Sequence, residues 1–339
     1  MFKKTFLIVF ALLVLSFWAL AQNTNSEKPA IPATFDERLG ADDGAALAIL
    51  FGANMRGNLD LCDCNHPRGG LARRIGYVEG FKKKFRDTPV VHVEAGQFWY
   101  NSETNTPVIR AQNDFVSSAY SRWPMDVINL SRFDLLYANR ILTKEGLPER
   151  IAAMPMINNL ISANGKFASD TEAAQPFIIK EVKGPRIKGV KKSIKIGFLG
   201  LAAPMHSNSG MIDITVKNMY EVARQYVPKL RKQCDVLVIL AHSEFAAALK
   251  LAKENPEADV VIVGDAETVF KPQEVGKTLV VCAAPGNTQE GDLRLYLSPQ
   301  GGLKFKFLST DLDSLVPTDA AAQAFAEEAH NALFRLRTR

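Results

Sequence analysis

Short runs of apolar, mostly β-branched residues alternate with stretches of helical periodicity along most of the chain. Residues 46–51 and 90–93 have the composition of buried strands. Leu71, Ile75 and Val78 instead recur at the spacing of one helical face. Strands of both orientations with helices between them indicate an α/β (α+β layered) domain.

The same patterns predict further strands and helices up to the end of the chain. Residues 178–201 are expected to form a hairpin, and the last helix is expected to place Phe325, Ala329, Leu333 and Leu336 on one side. The other predicted elements are strands at 127–130, 236–240, 260–263, 279–281, 293–297 and 304–308, with helices over 225–232 and from Thr318 onward.

Composition narrows the class of protein. The chain has 339 residues, of which 47% are hydrophobic and 23% charged. These values exclude disorder and coiled coil as the main architecture. The net charge of +5 is mild and no dense basic block is present, so nucleic-acid binding is not predicted. Four cysteines are too few for a disulfide scaffold of this length.

The amino terminus has the pattern of an export signal. Lys3 and Lys4 precede an unbroken apolar run over residues 6–15, and Ala19 and Ala21 are small residues at a cleavage site. The apolar stretch is roughly 16 residues, short of the ~20 that a spanning helix needs. Residues 1–21 are therefore predicted to be a cleaved signal peptide. The mature protein is expected to be periplasmic or secreted, with no transmembrane segment.

The mature chain divides by composition into three parts. Residues 22–44 are polar, contain Pro29 and Pro32, and are predicted to be a flexible linker. A single domain is expected over residues 45–315, followed by a C-terminal helix over 316–339.

A series of motifs carries a family resemblance. Gly69-Gly70-Leu71-Ala72-Arg73-Arg74 follows a strand and a loop, and further strand ends occur in a fixed order at 50–59, 93–98, 130–135, 162–164, 195–201, 240–243 and 263–267. This order resembles the calcineurin-like metallophosphoesterase domain of secreted 5′-nucleotidases. The resemblance implies a four-layer αββα sandwich of two mixed β-sheets flanked by helices.

The departures from the family pattern bear on activity. Such domains hold two divalent metals that activate a water molecule against phosphorus. Only His242 matches a family ligand unchanged, and Asn164 matches a conserved strand end. The other ligand positions are matched by Asn54, Arg56, Gln97, Arg132, Phe133, Asp265 and Glu267. Arginine cannot give up its proton to bind a metal, and amides are neutral donors. The resemblance therefore implies a phosphatase-like frame that does not hold two metals in the family manner.

The leading hypothesis is a non-hydrolytic protein that binds an anionic ligand or a protein partner at the former metal cleft. Arg56, Arg132 and Arg73 or Arg74 would contact an anion such as phosphate, because guanidinium groups bind phosphate oxygens in pairs. Two arginines that face the same cleft also require a negatively charged group nearby. A bound anion would serve, as would the internal candidates, which are Glu94, Asp134, Asp265 and Glu267.

Two other hypotheses remain open. His242, Asp265 and Glu267 would form a rebuilt metal site in an active phosphohydrolase, or they are a strand-end histidine and two solvated carboxylates. Cys62 and Cys64, followed by His66, would form a small disulfide that is relatively easy to reduce, a soft metal site, or a passive loop bridge.

Overall fold

A computed structural model describes residues 34–100, 106–139, 155–167, 173–204, 214–266, 268, 270–282, 285–300 and 302–338. The described strands are β1 (Leu47–Gly52), β2 (Val90–Glu94), β3 (Val127–Asn129), β4 (Leu160–Ile161), β5 (Gly165–Phe167), β6 (Phe177–Val182), β7 (Ile194–Ala202), β8 (Ile214–Val216), β9 (Val236–His242), β10 (Val260–Val263), β11 (Gln273–Val275), β12 (Thr278–Cys282), β13 (Gln289–Leu297) and β14 (Leu303–Asp311). The described helices are α1 (Phe35–Leu39), α2 (Leu71–Lys84), α3 (Pro107–Arg122), α4 (Arg132–Asn139), α5 (Pro185–Lys188), α6 (Met219–Arg231), α7 (Phe245–Glu254) and α8 (Ala320–Arg337).

The strands form two six-stranded mixed sheets and a small ribbon of β5 and β8. The first sheet has the order β14-β13-β1-β2-β3-β4, and the second has the order β11-β12-β10-β9-β7-β6. Strands β1 to β4 run parallel, as do β7, β9, β10 and β12. Parallel strands end at a common edge, so each sheet gathers the loops that follow its strands.

The two sheets pack face to face across an apolar core. Ile49 and Val91 from the first sheet join Phe198 and Val238 from the second in one buried cluster. Strands buried on both faces are expected to be continuously apolar, and β1 and β9 are buried at every position. This explains why both appear in the sequence as unbroken hydrophobic runs.

Helices cover the outer faces of both sheets. Ile75 of α2, Tyr120 of α3 and Ala326 of α8 share a buried cluster with Ile128 of β3. On the other side, α6 and α7 cover the second sheet through a separate apolar cluster. The predicted four-layer αββα sandwich is therefore confirmed. None of the helices in the described ranges is long and apolar enough to cross a membrane.

Two sequence-based predictions, the linker and the apolar side of the last helix, differ from the structure. Within the predicted linker, residues 35–39 form α1, which begins at a capping box on Thr34 and buries Leu39. Ordered structure thus begins before residue 45. In α8 the buried positions are Ala322, Ala326 and Ala329, whereas Leu336 is 36% exposed and does not continue the apolar side.

Candidate functional site

Loops from both sheets meet at the carboxyl ends of β1, β2, β3, β9 and β10. They surround an open cleft of about 760 Å³. The cleft is lined by Arg56, Gln97, Arg132, Phe133, Glu244, Phe245, Ala246, Leu249, Asp265, Ala266, Phe270 and Gln273. Five of the residues matched to family ligand positions therefore share one cleft. Glu267 lies outside the described residues.

Beneath this cleft, Asn54 and His242 are completely buried. The Asn54 amide nitrogen donates to the Gly264 carbonyl, and its oxygen lies 3.3 Å from His242 Nε2. Gly96 packs against the imidazole so closely that a Cβ atom there would lie 2.9 Å from it. Burial, with a smaller effect from the charges of Arg132 and Arg56, lowers the pKa of His242 to about 4 against the opposing effect of Asp265. The imidazole is therefore neutral at physiological pH.

The loops after β1 and β2 are joined to each other by backbone hydrogen bonds. Asn54 N donates to Gly96 O and Arg56 N donates to Gln97 O, both at 2.9 Å. Asn54, Arg56 and Gln97 all have left-handed backbone conformations, with φ of 59°, 52° and 57°. This conformation is uncommon outside glycine, and asparagine tolerates it best. The surrounding hydrogen bonds hold it in place.

The Asp134 carboxylate holds in place the loop that carries Gln97. From the sequence, Asp134 was considered only as a candidate partner for the cleft arginines. Its carboxylate accepts backbone hydrogen bonds from Gln97 at 2.6 Å, Trp99 at 3.1 Å and Ser131 at 2.9 Å. Burial raises the pKa of Asp134 to about 7, while these hydrogen bonds act in the opposite direction. Asp134 therefore serves the backbone and does not neutralise Arg56 or Arg132.

The two cleft arginines have different surroundings. An Arg132 guanidinium nitrogen lies 3.6 Å from an Asp265 oxygen, and the group covers the Phe133 ring at 4.7 Å. Arg56 is exposed, and within the described part of the chain no carboxylate lies at ion-pair distance from it. Asp265 thus supplies one internal partner, whereas the charge of Arg56 faces the cleft.

Arg73 and Arg74 do not reach this cleft, contrary to the sequence-based expectation. Arg73 donates to the carbonyls of Pro67 and Leu312. Arg74 is completely buried, where it lies 2.6 Å from Glu94 and 3.2 Å from Glu290. The second arginine of the glycine-arginine motif is therefore a core residue.

Asn164 also has a local role. Its amide nitrogen donates to the carbonyls of Ala202 and Lys217 at 2.7 and 2.8 Å, and its oxygen accepts from Ala202 N at 3.0 Å. These contacts join Asn164 to the last residue of β7 and to the residue that follows β8. The side chain is consequently occupied with backbone groups, and Asn164 is not among the residues lining the cleft.

An aromatic pair lines the cleft and was missed in the sequence. Phe245 and Phe270 stack with ring centroids 4.4 Å apart and planes 9° apart, and Phe270 is 38% exposed. Phe245 follows closely after the β9 strand end at His242, so the rule that strand ends form sites would have selected it. Phe270 has no comparable signal.

The chemistry of these donors does not fit a pair of divalent metals. Two guanidinium groups stand in the cleft, Phe133 offers no donor atom, and the Asn54 amide is used by Gly264 and His242. In the described ranges no group of three or more His, Cys, Asp or Glu side chains is arranged to hold a metal ion.

A separate loop, residues 62–68, carries the cysteine motif. Cys62 and Cys64 are joined by a disulfide, with their Cα atoms 5.5 Å apart. His66 is exposed. Its backbone carbonyl oxygen lies 3.2 Å from Cys64 Sγ. Because both sulfurs are bonded to each other, they are not available as thiolate ligands in this state.

Comparisons with known proteins agree with this fold. No family model matches the chain. A stretch of 111 residues is 32% identical to a 2′,3′-cyclic-nucleotide 2′-phosphodiesterase/3′-nucleotidase of Salmonella typhimurium, covering 28% of this chain and 17% of that protein. The crystal structure of a 5′-nucleotidase precursor from Thermus thermophilus superposes with a TM-score of 0.69 at 18% identity, over 86% of this chain and 60% of the other.

A third relative is similar in length. The calcineurin-like phosphoesterase YfkN structure from Bacillus subtilis superposes with a TM-score of 0.64 at 17% identity, over 86% of this chain and 99% of that one. This chain spans less than two thirds of the Salmonella and Thermus proteins. The predicted resemblance to the 5′-nucleotidase-type metallophosphoesterase domain is confirmed at the level of the fold.

Proposed function

We propose that this metallophosphoesterase-like chain is an exported protein that binds a small anion in the cleft and does not hydrolyse phosphate esters. The observation that carries the proposal is the pair of arginines, Arg56 and Arg132, on one cleft above a neutral His242. Cations at the centre of such a cleft attract the phosphate or carboxylate group of a ligand. They also oppose the binding of a divalent metal.

The surroundings of Arg56 support an external anion over a purely internal pairing. Of the three candidate carboxylates that the structure describes, Glu94 is bonded to Arg74 and Asp134 to backbone amides. Asp265 pairs with Arg132 at 3.6 Å. Glu244, at the cleft rim, is exposed and forms no ion pair with Arg56 in the described region. A guanidinium group in this position can bind an incoming anion in bidentate fashion.

Export is the second part of the proposal, and it rests on the signal-peptide pattern of residues 1–21. The protein recovered from the periplasm or medium is expected to begin at Gln22. Edman sequencing or intact mass measurement tests this. Recovery of the full-length chain in the cytoplasmic fraction would contradict it.

Phosphate or sulfate is expected to stabilise the protein, and Arg56→Ala should abolish the effect. Ligand present at ten times its Kd stabilises the folded state by about 1.4 kcal/mol. Thermal unfolding at increasing phosphate concentration, at constant ionic strength with chloride, measures the response. Arg335→Ala is the matched control, because Arg335 is exposed on α8 away from the cleft and its loss should leave the response intact.

Two results would overturn the proposal. The first is a melting temperature that does not respond to phosphate or sulfate, or that responds equally in Arg56→Ala. The second is hydrolysis of a nucleotide or generic phosphate ester with added manganese or zinc at about 1 per second or more, abolished by His242→Ala.

A further inference from the structure

We propose that the Cys62–Cys64 disulfide is a thiol–disulfide exchange site that oxidises a dithiol of another protein. The disulfide lies on a surface apart from the arginine cleft, which is the site proposed for anion binding. The two cysteines do not line the cleft. They belong to a loop between β1 and α2, facing the C-terminal helix α8.

The two cysteines of the disulfide differ in their exposure to solvent. Cys64 is exposed, whereas Cys62 is half-buried. Cys62 also lines a groove of about 630 Å³ between the loop and α8, whose opposite wall includes Gln323 and His330. A segment of another protein therefore has room to bind along α8 beside Cys62, while Cys64, the more exposed of the two residues, is open to attack by a thiolate from the solvent side.

The hydrogen bonds around the two sulfurs favour the same direction of attack. The backbone N–H of Arg68 donates to Cys62 Sγ at 3.3 Å. A donor aimed at sulfur stabilises a thiolate there, and a more stable thiolate is a better leaving group. Cys64 Sγ lies 3.2 Å from the His66 carbonyl oxygen, which can accept a hydrogen bond from the Cys64 thiol once the bridge is open.

The loop is anchored by contacts that do not depend on the disulfide. Cys62 N donates to Arg68 O at 2.9 Å, and Gly69 N donates to Leu312 O at 2.8 Å. The Arg73 guanidinium donates to the Pro67 carbonyl at 2.6 Å. Opening the S–S bond therefore leaves the base of the loop fixed, as a site that cycles between two redox states requires.

The exchange balances as a transfer of two electrons. A thiolate of the partner dithiol attacks Cys64 Sγ, the S–S bond breaks, and Cys62 leaves as a thiolate and takes up a proton. The second partner thiolate then attacks the partner's own sulfur in the mixed disulfide and releases Cys64, which is protonated. The partner dithiol is oxidised to a disulfide, Cys62 and Cys64 are reduced, and both partner protons are accounted for.

Equilibration of the native protein with reduced and oxidised glutathione tests the proposal. Both cysteines are expected to become alkylated in reduced glutathione without loss of the far-UV circular dichroism, and to be protected again in oxidised glutathione. The Cys62→Ser/Cys64→Ser double variant gives the background from Cys234 and Cys282, which are free. A disulfide that stays closed in reduced glutathione, or that opens only as the fold is lost, would show a passive structural bridge.

The position of the first adduct tests the direction of attack. When the wild type is exposed briefly to reduced glutathione and quenched with acid, the mixed disulfide is expected on Cys64 about tenfold more often than on Cys62, because Cys64 is more accessible. Peptide mass mapping of the protein that was folded during the reaction locates the adduct. Equal amounts at the two positions, or more adduct on Cys62, would overturn the assignment of Cys64 as the attacked sulfur.

Discussion

Replacing Arg74 by methionine is expected to lower the free energy of unfolding by about 3–5 kcal/mol. Arg74, Glu94 and Glu290 all have completely buried side chains. Burial lowers the pKa of the guanidinium, but the charges of Glu290 and Glu94 raise it more, so its pKa lies above the ordinary value. Removing the only cation that the structure describes at both carboxylates would leave two negative charges in the core without their main compensation.

Arg73→Met is the matched control in urea denaturation. Arg73 is the adjacent residue, but it is partly exposed, and its hydrogen-bond partners among the described residues are carbonyl oxygens. Its loss should therefore cost no more than about 1 kcal/mol. Adding Glu94→Gln and Glu290→Gln to Arg74→Met should recover part of the lost stability. A midpoint for Arg74→Met that equals that of Arg73→Met would show that the buried pairs do not stabilise the domain.

Acidification is expected to destabilise the protein through His242. Its pKa of about 4 in the folded state, against 6.5 for an unperturbed imidazole, corresponds to about 3 kcal/mol. Above pH 6.5 the imidazole is neutral in both states and contributes no penalty. As pH falls from 6.5 to about 4, the unfolded chain binds a proton that the folded protein excludes, and this share of the stability is lost.

The comparison with His242→Gln isolates this contribution. Asp134 acts in the opposite sense, because its pKa of about 7 makes the folded state gain stability as pH falls below that value. Since both proteins retain Asp134, the difference in unfolding free energy between them at pH 7.5 and at pH 4.5 reports His242. The wild type should lose more stability on acidification than the variant. An identical change in both proteins would contradict a buried neutral imidazole.

The fold was predictable from sequence where hydrophobic pattern and burial coincide. Residues of α2 recur at helical spacing, and the helix observed over Leu71–Lys84 matches the prediction. By contrast α7 was missed, although its buried residues Phe245, Ala248, Leu251 and Ala252 recur at helical spacing. Helix α3 was also missed, although Thr106 caps it and Pro107 opens it, a combination that marks helix starts.

The candidate site was predictable in position but not in the pairing of its charges. The family resemblance matched Arg56, Arg132 and Asp265 to ligand positions at strand ends and so placed them near one another, and they share the cleft. Arg74 was assigned to the same cleft because it belongs to the glycine-arginine motif that carries the family resemblance. Its true partners, Glu94 and Glu290, come from β2 and β13, and only the packed sheet brings those strands to one helix.

The left-handed residues around the cleft have a consequence for how such a domain can change. At Asn54, Arg56 and Gln97 the direction in which the side chain leaves the chain is set by the backbone hydrogen bonds between two loops. It depends little on which side chain is present, as long as that residue tolerates the left-handed conformation. Conformational strain of this kind costs of order 1–3 kcal/mol at each residue and is sustained by the surrounding structure. The backbone of the two loops therefore fixes the direction of each of these side chains. A substitution that tolerates the conformation changes the chemical group without changing where it points.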